Sequence, residues 1–112
     1  MRPDYGGGMT ILASGTQPGR RVHKLYVDVL ARTNVSGDIL PIRVIWPDGR
    51  AFTIDEILDA RPFGPTVQGV STAVYTCRFG GHRADLYLER AAKEAHLRWW
   101  VWAFDNDPAL GV

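Results

Sequence analysis

The chain is short of cysteine, of long apolar runs and of excess charge, and each shortage excludes something. Cys77 is the only cysteine, so no disulfide can close within the chain, which suits a reducing cytoplasm. No apolar run approaches the roughly 18 residues of a membrane-spanning helix. Met9 to Ala13 falls short of the roughly 7–15 apolar residues of a secretory signal. A cytoplasmic protein with no membrane partner is the expectation. Thirteen basic side chains stand against twelve acidic ones, a formal charge of +1, which excludes a generic polyanion-binding tail.

What is present points to one small globular domain. At 112 residues the chain is too short for two cores, and 46 % hydrophobic with 11 % aromatic content excludes wholesale disorder. Residues 1–22 differ from the rest. They hold Gly6, Gly7, Gly8, Gly15 and Gly19, two prolines and no apolar period, and carry Arg2, Arg20 and Arg21 against Asp4. This segment reads as a flexible N-terminal arm. Residues 23–112 read as a single β-barrel domain.

From Lys24 the apolar period is two. Leu25, Val27, Val29 and Ala31 alternate with polar neighbours, and after a turn at Asn34–Gly37 the residues Leu40, Ile42, Val44 and Trp46 share a second face. Pro41 has no amide hydrogen, so this strand is an edge there or bulged. Pro47-Asp48-Gly49 is a hairpin signal, and its register sets Trp46 against Arg50, Val44 against Phe52 and Ile42 against Ile54. Asp55-Glu56 breaks the third alternation, where a bulge is expected. Arg61 to Gly69 is a loop. Gly80-Gly81 closes a second hairpin that sets Phe79 against His82, Cys77 against Ala84, Tyr75 against Leu86 and Ala73 against Leu88. Ala91, Ala92 and Ala95, with Glu89–Lys93 and Arg90–Glu94 at i,i+4 spacing, predict a short helical turn near residues 90–95. Leu97 to Phe104 is the last strand. About six short strands in an antiparallel meander make an all-β fold, a small barrel of SH3-like type. An oligonucleotide-binding-type barrel is the alternative.

Candidate functional residues are few. The last strand, Leu97-Arg98-Trp99-Trp100-Val101-Trp102-Ala103-Phe104, is aromatic on both faces, and one core cannot take both. Trp100, Trp102 and Phe104 are expected outermost, as a surface for self-association or stacking unless the arm or the alanine-rich turn covers them. Arg78 and Arg83 face each other across the second hairpin, a repulsive pair that an anion would relieve, as would Asp85 or Glu89. Arginines interleaved with aromatics (Arg43, Arg78, Arg83 and Arg98 with Tyr87, Trp100 and Trp102) are the pattern of single-stranded nucleic-acid binding, although the near-zero charge opposes it. His23, His82, His96 and Cys77 have no metal-ligand spacing. No nucleophile, phosphate-loop or zinc-protease motif occurs, and Asp55, Glu56 and Asp59 are carboxylates near a bend without a cleft. No metal, cofactor or catalytic residue is therefore expected.

The segment Lys24 to Ala60 carries Leu-Tyr-Val-Asp-Val-Leu-Ala-Arg, Leu-Pro-Ile-Arg-Val-Ile-Trp-Pro-Asp-Gly-Arg and Phe-Thr-Ile-Asp-Glu-Ile-Leu-Asp-Ala-Arg. Together with Tyr75-Thr76-Cys77-Arg78-Phe79-Gly80-Gly81 and Arg98-Trp99-Trp100-Val101, it resembles small uncharacterised bacterial β-barrel domains, some encoded near lesion-bypass DNA polymerases. The resemblance spans roughly residues 24–103. It implies a barrel and transfers no catalytic residue. The functional expectation is a non-enzymatic module working by protein–protein contact as a homodimer; single-stranded nucleic-acid binding linked to DNA repair is the alternative.

Overall fold

A computed structural model describes residues 22–93 and 96–104. The expected arm, except Val22, lies outside them. Six strands follow in order: β1 (Val22–Thr33), β2 (Ile39–Ile45), β3 (Ala51–Arg61), β4 (Val70–Phe79), β5 (His82–Ala91) and β6 (Leu97–Phe104). Each pairs antiparallel with the next, and β6 returns to β1 to close a barrel. Both small-barrel alternatives share this closure, which hides strand edges that an open sheet of this size would expose.

The two hairpins form as their turn residues dictate. Gly49 sits at φ 93°, Trp46 donates its amide to the Arg50 carbonyl at 2.7 Å, and Val44 lies opposite Phe52. Gly80 and Gly81 both take positive φ, and the β4–β5 ladder has the expected pairs, from Phe79 opposite His82 to Ala73 opposite Leu88. Alternation then fills the barrel. Ala73, Tyr75, Cys77 and Phe79 from β4 meet Ala84, Leu86 and Leu88 from β5, with Val27, Val44, Trp46, Trp99, Val101 and Ala103 completing the core.

Register shifts interrupt two of the ladders, β1–β2 and β3–β4. β3 pairs with β2 through Ala51–Thr53 and with β4 from Ile54 onward, with register shifts at Asp55 and Leu58. The first is the break expected at Asp55-Glu56. The β2–β3 ladder ends at Arg43 opposite Thr53, so the expected Ile42–Ile54 pair is not part of it, and on its other edge Ile54 lies opposite Phe79. A further shift lies on β2, where Leu30 pairs with Arg43 but Ala31 pairs with Pro41. Ile42 is the extra residue, and inserting it inverts the alternation. Pro41 is therefore fully buried while Ile42 is 39 % exposed, the reverse of the facing read from the sequence.

The described residues contain no helix, and Arg90–Lys93, the described part of the helical turn expected near residues 90–95, continues β5 to Ala91 instead. β5 runs straight through Glu89 and Arg90 to Ala91, held by Arg90 opposite Leu97 and by the Ala92 amide on the Gly69 carbonyl at 2.7 Å. A segment this short cannot offset the cost of helix nucleation, and the ladders give Arg90 a strand neighbour on each side. Glu94 and Ala95 lie outside the described residues. No helix among the described residues is long and apolar enough to cross a membrane.

Candidate interaction surface

β6 divides its aromatics as its alternation requires. Trp99, Val101 and Ala103 join the barrel core, and Trp100, Trp102 and Phe104 take the outer face. They do not form the exposed patch expected of them. Trp100 and Phe104 are each 4 % exposed, and Trp102 is half-buried. Neighbouring strands account for the cover over Trp100. Tyr26 of β1 and Tyr87 of β5 flank it in the ladders, Tyr87 stacks flat on its ring at 4.1 Å between centroids, and Trp102 meets it edge-on. The Lys24 ammonium lies 4.5 Å from its centroid.

At the centre of this face is a carboxylate the sequence reading assigned to a helix. Glu89 is opposite Arg98 in the β5–β6 ladder, and its side chain is 7 % exposed. It accepts from Arg98 Nη2 at 2.8 Å and from the Tyr26 hydroxyl at 3.2 Å, with Lys24 Nζ 3.6 Å away. Burial pushes the Glu89 carboxyl up, but the Arg98 and Tyr26 hydrogen bonds and the two cations outweigh it, leaving it below its ordinary value. Burial, with the Glu89 charge, raises the Tyr26 hydroxyl. Arg98 also lies over the Tyr26 ring at 4.4 Å. Both cations are therefore spent inside the chain, on a carboxylate and on ring faces. The signal that could have found this cluster is the parity of Glu89 with Tyr87, read as a strand continuing past Leu88.

Arg78 and Arg83 do stand opposite one another. Glu89 is engaged by Arg98 and Lys24, whereas Glu56 relieves Arg78, its carboxylate 3.7 Å from Arg78 Nε. The Asp55 bulge is the cause, because it brings Glu56 opposite Arg78 in the β3–β4 ladder. Asp85 accepts from the Thr76 hydroxyl at 2.6 Å. Asp55, Glu56 and Asp59 are exposed along β3, with Asp59 3.9 Å from Arg61. They do not converge on a cleft. Cys77 is fully buried, and burial pushes its thiol up to about 12. No group of three His, Cys, Asp or Glu among the described residues could hold a metal ion.

Exposed apolar side chains occur on the β1–β2 turn (Val35), on β2 (Ile42) and at Val67, and also on β1 and at the start of β6. Tyr26 is 39 %, Leu30 58 % and Leu97 47 % exposed. β1 and β6 part company after Val27 opposite Trp99. The gap is an open groove of about 480 Å³, lined by Tyr26, Asp28, Leu97 and Arg98 among others. Comparison of the chain with protein-family models, with curated proteins and with solved structures finds no match.

Proposed function

We propose that this domain is a non-enzymatic interaction module of the cytoplasm that works by protein–protein contact, as a homo-oligomer. The observation that carries the reading is the apolar surface where β1 and β6 separate. Tyr26 and Leu97 are exposed on an open groove there, and Leu30 is exposed further along β1; apolar exposure of this kind on a small domain marks a contact surface. The buried lone thiol supports a compartment where no disulfide is needed. Single-stranded nucleic-acid binding, with its link to DNA repair, has less support. The rings that bases would stack on are already covered by Lys24, Arg98 and Tyr87, and Glu89 offsets the two cations. Light scattering of the wild-type protein beside Leu30→Glu, which places a charge on that surface, tests the reading, and the variant is expected to shift toward monomer. Wild type is expected as an oligomer at micromolar concentration, and a monomer there contradicts it. Fluorescence anisotropy with labelled oligonucleotides is the counter-test: binding at low salt that weakens as salt rises would favour the alternative.

A further inference from the structure

Between Asp28 and Thr33, β1 pairs with β2 alone, because its ladder with β6 ends at Val27. The other edge of this half-strand therefore has no strand against it among the described residues. Such an edge is a template for a further strand. The register shift here adds its extra residue to β2, so β1 itself runs regularly through Leu30 and Ala31. Its outer face carries Asp28, Leu30 and Arg32 in alternate positions, all exposed. Neither Asp28 nor Arg32 has an ion-pair partner among the described residues.

Resting on the protein-contact reading above, we propose that the occupant of this edge is a second copy of the same chain. The two β1 strands pair antiparallel about a twofold axis at Leu30. That register sets Leu30 against Leu30 of the second copy and Asp28 against its Arg32, and by symmetry Arg32 against its Asp28. The exposed leucine gains cover, and both unpartnered charges gain a partner across the strands. A twofold contact must be self-complementary in this way. Registers centred one residue to either side lose it. Centring on Val29 sets Asp28 against Leu30, and centring on Ala31 sets Leu30 against Arg32. The corresponding stretch of β3 left by β2 carries Asp55, Glu56 and Asp59 and would repel a copy of itself. The result is a continuous sheet β2–β1–β1–β2 running through two barrels.

Charge exchange tests the register by sedimentation velocity on the full chain. Asp28→Arg and Arg32→Asp each turn two attractions into two repulsions, and each is expected to weaken the homodimer roughly tenfold or more. The double variant Asp28→Arg/Arg32→Asp restores opposite charges and should dimerise like wild type. Mixing the two single variants should yield a heterodimer, because each chain then meets only opposite charges; this outcome also shows that both variants fold. A wild-type dimer unmoved by any of these changes overturns the β1 pairing while leaving self-association standing. A wild-type monomer at micromolar concentration overturns both.

Discussion

Glu89→Ala is the substitution that most directly separates the outer-face network from the barrel core. The carboxylate is nearly out of solvent and accepts two hydrogen bonds, one from a guanidinium at 2.8 Å. A buried ion pair stripped of one member commonly costs about 3–5 kcal/mol, because the survivor is stranded in low dielectric. Here the survivors are not stranded. Arg98 and Lys24 are 60 % and 43 % exposed, so water takes them back, and the loss falls toward the lower end of the about 1.5–3 kcal/mol for a hydrogen bond to a charged group. That gives about 2 kcal/mol, or a melting temperature lower by roughly 10 °C for a domain of this size. Thermal unfolding followed by near-ultraviolet circular dichroism reads this, and the stacked Tyr87–Trp100 pair supplies a local signal. A loss under about 0.5 kcal/mol would refute the network as a stabilising element.

The same carboxylate sets a pH dependence. Its value in the folded protein lies below its ordinary one, so its stabilisation is full above the ordinary carboxylate range and is lost as pH falls through the folded value. Wild type should lose its stability advantage over Glu89→Gln on acidification; a gap that stays constant between neutral and acid pH contradicts the assignment. Leu86→Ala, at a fully buried site between β4 and β6, should cost about 2–5 kcal/mol in urea unfolding. A cost below about 1 kcal/mol would mean the barrel is not packed there. The Cys77 thiol, buried and raised to about 12, should react with a thiol reagent only at the rate of unfolding, and prompt labelling of the native protein would contradict its place in the core.

The fold was legible where structure is local. Turn residues fixed both hairpins, and once Gly80-Gly81 set the register every β4–β5 pair followed from it. Bulges were half legible. A charge pair interrupting an apolar alternation marked the one at Asp55, but the one at Ile42 left no trace beyond Pro41, and a single inserted residue exchanged which side chains point inward. The site was the least legible part. Glu89 and Lys93 sit at good helical spacing, and only the arrival of β6 alongside β5 turns Glu89 into a partner for Arg98. Tyr26 reaches Glu89 across 63 positions of sequence, a distance at which residue patterns say nothing about contact. Trp100 and Phe104 were read as exposed because the strands that would flank them could not be placed. The self-complementary Asp28-x-Leu30-x-Arg32 was visible all along, but had no meaning until β6 was seen to leave that edge.

Disulfide trapping at Leu30 tests the central claim most directly. In the twofold pairing the two Leu30 side chains face each other with Cβ atoms about 4.5–5.5 Å apart, close enough for a disulfide after small adjustment. Val35, fully exposed in the β1–β2 turn, would lie roughly 30 Å from its counterpart and reports random collision. Under mild oxidation, with Cys77 out of reach in the core, Leu30→Cys should give a covalent dimer rapidly and Val35→Cys should not. Equal rates for the two variants would contradict the account.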